Sequence, residues 1–202
     1  MTRPMKLLLQ SAVLAAGVGA IAGAASAQGQ LIVYCAVQEE WCRPMVQEFE
    51  KATGIKVSMT RKSSGEIYAQ VKAESSNPKG DIWWAGPGDA YLQAAEDGLL
   101  ETYQSPNLNQ LQDWARRISE VSQNRVSGVY GGILALGYNT ELQTKKKLPI
   151  PKCWKDLLDP VYKNEVMLGN PNSSGTAYLM LASLVQVFGE DEAFKFMKAL
   201  NA

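Results

Sequence analysis

The sequence predicts an α/β fold, a parallel sheet carrying helices on both faces. Three observations carry that expectation. Short apolar, β-branched runs alternate with helical stretches from Gln28 onward, and Gly, Pro and Asn punctuate the junctions. Strands separated by helices also imply parallel pairing.

The elements follow in order. Leu31-Ile32-Val33-Tyr34 reads as a buried strand. Between about Glu40 and Thr53, Met45, Val46, Phe49 and Ala52 recur at helical spacing, and Gly54 is the stop. Pro44 fits only in a first turn, which places the helix start close to Trp41. Ile55 to Met59 alternates and reads as a second strand, followed by Ser63-Ser64-Gly65-Glu66 and a helix to about Ser75. After the turn Asn77-Pro78-Lys79-Gly80 comes a third strand, Asp81-Ile82-Trp83-Trp84. Ala85-Gly86-Pro87-Gly88 breaks it, and a helix from about Asp89 to Asp97 ends at Gly98.

Residues 104–125 are polar and read as loop and helix. Val126 to Asn139 reads as a long extended segment with internal glycines, able to cross between two lobes. Lys145-Lys146-Lys147 is expected to be a solvated helix end. Beyond Pro151 the pattern gives a short helix Trp154 to Leu158 and a strand Glu165 to Leu168. An apolar helix Thr176 to Phe188 and an amphipathic one Glu190 to Leu200 follow. The expected organisation is lobe one at 28–125, a crossing segment at 126–140 and lobe two at 141–202. One strand and two helices do not complete a sheet, so lobe two is expected to be incomplete.

The first residues predict export. Arg3 and Lys6 form a positive n-region, Leu7 to Ala24 is uncharged and apolar, and Ala25-Ser26-Ala27 is a small-x-small site with cleavage after Ala27. The alternative, a membrane anchor, is disfavoured by a short Ala/Gly-rich run with no stop-transfer cluster. Removing residues 1–27 leaves 18 basic against 20 acidic groups, a net charge of −2. That balance points away from nucleic acid and anionic membranes as partners. The sequence has no histidine, which excludes Ser-His, Cys-His and His-zinc chemistry from this stretch. Three cysteines in an exported chain invite pairing. Cys35 ends a strand and Cys42 opens the next helix, close enough for a bridge. Cys153 is then either a free thiol or paired outside this sequence.

Ligands of open α/β sheets sit at the carboxyl ends of parallel strands. Three junctions there stand out: Cys35-Ala36-Val37-Gln38, Ser63-Ser64-Gly65-Glu66 and Ala85-Gly86-Pro87-Gly88. Asn170-Pro171-Asn172-Ser173-Ser174-Gly175-Thr176 makes a fourth, in lobe two. The Ser63 and Ser173 loops share one design, with hydroxyls and a glycine opening a helix. Hydroxyls, free N–H groups and the positive dipole end then suit a carboxylate, phosphate or phosphonate. Either loop alone reads as ordinary N-capping, but two such loops in facing lobes favour an anion site. Arg61 either neutralises the anion or is an exposed strand-end charge. Of Trp83 and Trp84, one faces each side of the sheet. Tyr138 and Asn139 end the crossing segment, where they either line a ligand or pack the hinge. Tyr178 either reaches the cleft or packs in the core.

The chain resembles type 2 periplasmic solute-binding proteins of the ferric-iron-type ABC importer group. The resemblance rests on Phe49-Glu50-Lys51-Ala52-Thr53-Gly54-Ile55-Lys56-Val57, Lys79-Gly80-Asp81-Ile82-Trp83-Trp84, Gly137-Tyr138-Asn139-Thr140 and Trp154-Lys155-Asp156-Leu157-Leu158-Asp159-Pro160. The most distinctive piece is Asn170 to Tyr178. It implies two lobes closing on one small-molecule ligand, no catalysis, no cofactor, a monomer in the periplasm, and an ABC permease in the inner membrane as partner. Ferric-binding members use tyrosines, often with histidine and a carboxylate. Here Ala36-Val37-Gln38 stands where such a ligand is expected, and the Ser-Ser-Gly-Thr-Ala-Tyr loop is more similar to that of phosphorylated-sugar or phosphonate binders. A small oxyanion is therefore the expected ligand and ferric iron the alternative. Two further readings are a secreted hydrolase using paired carboxylates and a ligand-sensing lobe. Glu39/Glu40 and Asp191/Glu192, the candidate pairs, fall on helix starts, where dipole compensation accounts for them.

Overall fold

Three parallel strands organise the N-terminal half of the computed structural model, which describes residues 29–201. They are β1 (Gln30–Cys35), β2 (Lys56–Arg61) and β3 (Ile82–Trp84), in the order β2-β1-β3. β1 is flanked on both sides, and its residues Val33, Tyr34 and Cys35 are accordingly buried. The register pairs Leu31 with Val57 and Val33 with both Met59 and Ile82. Ala36 N–H to Trp84 O (2.9 Å) and Lys62 N–H to Cys35 O (3.1 Å) carry both ladders past the strand ends. Three strand-to-helix loops are thereby drawn together at one edge.

The crossovers are helical, as expected. α1 (Glu39–Thr53) follows β1 and ends where Gly54 adopts φ 73° and returns its N–H to Glu50 O. That left-handed stop favours glycine over any residue with a Cβ. The helix starts at Glu39, two residues before the expected Trp41, so Pro44 lies beyond the first turn. The N–H absent there would have met Glu40 O, one carbonyl on the exposed face. α2 (Ser64–Ala73) joins β2 to β3, and α3 (Gly88–Glu96) follows β3. α4 (Asp113–Val121) and α5 (Thr140–Lys146) complete the middle of the chain. Lys145 and Lys146 do form an exposed helix end.

The second hydrophobic centre is a helical hairpin. α6 (Gly175–Phe188) and α7 (Glu190–Leu200) bury Met180, Leu184, Ala193 and Phe196 against each other, with Trp154 and Leu134 packed alongside.

The expected strand at Glu165–Leu168 is not formed among the described residues, and the expected extended segment Val126–Asn139 has no partner strand there. Ile133 and Met167 stand almost fully exposed. A strand is stabilised only by hydrogen bonds to a neighbour, so an apolar alternating run without one stays irregular. The predicted leader at residues 1–27 lies outside the described residues.

Cys35 and Cys42 are bridged, with Cα atoms 6.3 Å apart. Cys153 is free and exposed. No helix among the described residues is long and apolar enough to cross a membrane.

Candidate functional site

The carboxyl edge of the sheet meets the start of α6. Gly65, in the first turn of α2, donates its N–H to Ser173 O at 3.1 Å, which joins the two hydroxyl-rich loops directly. Glycine is required at this contact. A Cβ on Gly65 would lie 2.3 Å from Asn172 O, and one on Gly175 would lie 2.5 Å from Pro87 Cγ. Ser64 is buried at the junction. Its Oγ lies 2.7 Å from where a Cβ on Gly86 would stand and 2.9 Å from one on Gly175.

Beside this contact opens a cavity of about 280 Å³, lined from one side by Ser64, Gly65, Tyr68, Pro87, Asp89, Ala90 and Gln93. Pro171, Asn172, Gly175 and Tyr178 close it from the other. Two helices of 10 and 14 residues, α2 and α6, present their N-termini here. Such ends leave N–H donors without helical acceptors and carry partial positive charge.

Some of those donors are spent. Ser63 gives both its N–H (2.9 Å) and its hydroxyl (2.6 Å) to Glu66 Oε2. These bonds, the side-chain one foremost, hold the Glu66 carboxyl below its ordinary range. Ser174 caps α6 by accepting from Ala177 N–H at 3.3 Å, and Ser173 directs its hydroxyl at Asn170 O. Gly175 and Thr176 N–H remain without a protein acceptor among the described residues. The Ser64 hydroxyl and the Ser64, Gly175 and Thr176 N–H groups thus have no protein acceptor among the described residues.

The other predicted residues fall in three places. Ala36 abuts Gly86, whose N–H donates to Tyr130 Oη at 3.1 Å. Ala85, at φ 61°, is buried and accepts from the Tyr91 hydroxyl, while the Tyr91 ring stacks on Trp83 with centroids 4.1 Å apart. Burial pushes the Tyr91 phenol well above its ordinary range, so it stays a neutral donor. Arg61 folds onto the first loop, Nε donating to Val37 O at 3.2 Å. Tyr138 and Asn139 sit apart: Tyr138 is exposed, and Asn139 caps α5 by accepting from Leu142 N–H at 2.9 Å.

The cavity also has walls that loop reading does not supply. Tyr68 donates to Asp97 Oδ2 at 2.6 Å, Gln93 Nε2 to Asp97 Oδ1 at 3.0 Å, and Lys72 Nζ to Asp97 Oδ2 at 3.0 Å. These three donors, Tyr68 first, bring the Asp97 carboxyl down to about 2. The network is thus at full strength above the unfolded carboxyl value near 4 and weakens only as pH falls toward 2. The signal was present as two i,i+4 pairs, Tyr68/Lys72 and Gln93/Asp97.

Comparison with known proteins bears on this arrangement. Residues 77–202 match the family model described as bacterial extracellular solute-binding protein. The chain superposes on the periplasmic binding protein AfuA from Actinobacillus pleuropneumoniae, solved with exogenous fructose-6-phosphate bound, at TM-score 0.78 and 39% identity. That match covers 85% of this chain and 54% of AfuA. A Salmonella typhimurium protein named "Putative 2-aminoethylphosphonate-binding periplasmic protein" is 26% identical over 164 residues, covering 80% of this chain and 44% of that one. The major ferric iron-binding protein of Neisseria gonorrhoeae is 24% identical over 197 residues, 98% of this chain and 57% of its own length. The chain therefore spans about half the length of the curated relatives it matches.

Proposed function

The chain belongs to the bacterial extracellular solute-binding protein family, and from that membership we propose that it is the substrate-binding component of an ABC importer. It acts in the periplasm after loss of residues 1–27, captures a small oxyanion between two lobes and delivers it to an inner-membrane permease. Lobe one is 28–125, the crossing segment 126–140 and the partial lobe two 141–202. The named relatives are binding proteins, and in this reading the chain carries out no catalysis.

The observation that carries the ligand class is the Gly65 N–H to Ser173 O contact. The N-termini of α2 and α6 meet there beside one cavity lined by Ser64, Gly65 and Gly175, and the first two N–H groups of α6 have no protein acceptor among the described residues. A phosphate ester or phosphonate matches that donor set. Relatives named for a phosphonate and solved with a sugar phosphate support the same class.

The test is calorimetric titration of the complete gene product with 2-aminoethylphosphonate, fructose 6-phosphate and ferric citrate. Ser64→Ala is expected to weaken the phosphorus ligand roughly ten- to a hundredfold, the value of one hydrogen bond to a charged acceptor. Ser174→Ala should lower affinity too, and also cost about 1 kcal/mol of stability through the lost α6 cap. Wild-type affinity for the anion in both variants, or tight binding of ferric ion alone, overturns the oxyanion reading in favour of iron.

A further inference from the structure

Asp97 breaks a local rule. It stands at the C-terminal end of α3, where the helix dipole disfavours a carboxylate, and no capping role accounts for it. What it does instead is collect three donors: the Tyr68 hydroxyl and Lys72 ammonium from α2 and the Gln93 amide from its own helix. Two of these, Tyr68 and Gln93, line the cavity.

The bonds decide what each lining group can offer. The Tyr68 hydroxyl has one proton and spends it on Asp97, so its oxygen faces other partners only as an acceptor. Lys72 donates to the same oxygen at 3.3 Å, which occupies one acceptor position and leaves the other for a ligand. Gln93 directs its amide nitrogen at Asp97, which leaves its carbonyl oxygen uncommitted among the described residues. Asp89 adds a carboxylate to the same wall and forms no ion pair among the described residues. The cavity is therefore polarised. N–H and O–H donors stand at the junction of α2 and α6, and acceptors stand along α2 and α3.

We propose that Asp97 is a positioning residue that holds Tyr68 and Gln93 as acceptors, so that the site selects an anion that also carries a hydroxyl or ammonium group. This rests on the oxyanion reading and refines it. The donor pole takes the phosphorus oxygens. The acceptor wall takes the hydrogens at the other end of the molecule. An anion with no second polar group offers nothing to the Gln93 carbonyl, the Asp89 carboxylate and the remaining Tyr68 acceptor position, so a ligand that carries a donor gains hydrogen bonds the bare anion lacks.

The experiment compares three probes on the complete gene product: methylphosphonate, which has no donor on its carbon, 2-aminoethylphosphonate, and fructose 6-phosphate. The wild type is expected to prefer at least one donor-bearing probe to methylphosphonate. Asp97→Ala and Tyr68→Phe should each weaken that probe roughly three- to tenfold and leave methylphosphonate within about twofold. Asp97→Asn, which keeps an acceptor oxygen, should recover part of the loss. Equal weakening of all three probes together with a lowered Tm would make Asp97 a staple between α2 and α3 and overturn the proposal. Unchanged selectivity in both variants overturns it as well, while leaving the oxyanion reading in place. A wild type that binds none of the three removes both.

Discussion

Replacing Gly65 with valine is expected to weaken ligand capture a hundredfold or more while the two halves of the chain stay folded. Gly65 lies in the first turn of α2, and its backbone is not in the left-handed region. The helix itself therefore tolerates a side chain, and alanine there would favour α2 by up to about 1 kcal/mol. The obstacle is external. A Cβ would stand 2.3 Å from Asn172 O and 3.0 Å from Ser173 Cα, and both are backbone atoms with no rotamer to move away. Overpacking of this kind costs about 1–3 kcal/mol even for small additions. Here it would fall on the contact that brings the Ser173 loop to α2. Gly65→Ala should lose roughly tenfold to a hundredfold in affinity, and the bulkier variant more. Gly88 provides the control, because it too opens a helix and has nothing within 4 Å of its absent Cβ. Gly88→Ala should bind as the wild type does. The readouts are calorimetric affinity and small-angle scattering with and without ligand. Wild-type affinity in Gly65→Val would show that the loops need not touch for binding.

The same contact explains how the sequence could announce a site without describing it. Ser63-Ser64-Gly65 and Ser173-Ser174-Gly175 share a pattern whose meaning is local: small residues before a helix leave donors free. That much is legible residue by residue, as are the crossover units, because apolar strands and glycine stops are short-range signals. The identity of the free donors is not. Ser63 was a candidate, yet its hydroxyl goes to Glu66, a capping-box pairing written in Ser63-x-x-Glu66 itself. Ser64, one residue on, keeps its hydroxyl at the junction.

Segments 126–139 and 165–168 show the opposite limit. Their alternation and β-branched content describe a surface suited to a sheet, but a strand also needs a neighbour, and periodicity names none. The cavity wall was hidden for a related reason. Tyr68 and Gln93 lie on two helices whose side-by-side packing is a tertiary fact. Only the (i, i+4) spacing to Lys72 and Asp97 hints at a shared purpose. The resemblance to solute-binding proteins rested on motif order, which survives even where individual strands do not form.

Removing the Cys35–Cys42 bridge is expected to cost about 2–3 kcal/mol of stability and to weaken binding through the first loop. The two cysteines lie seven positions apart in sequence and are essentially inaccessible, at 0% and 1% exposure. Closing so short a loop removes little chain entropy from the unfolded state, which sets the size of the loss. The structural consequence is more local. The bridge ties the last residue of β1 to α1, and between them runs Ala36-Val37-Gln38. Ala36 donates its N–H to Trp84 O and packs on Gly86, and Val37 O receives Arg61, so three loops of the carboxyl edge depend on this segment. Cys35→Ala with Cys42→Ala should therefore lower Tm by roughly 4–12 °C, at 2–4 °C per kcal/mol for a chain of this size. Affinity should fall in the same variant, and methylphosphonate and donor-bearing ligands should suffer alike, because the edge loosens as a unit. That separates it from Asp97→Ala, whose loss is selective. A double variant that melts and binds like the wild type would show that the β1–β3 ladder alone holds the first loop in place.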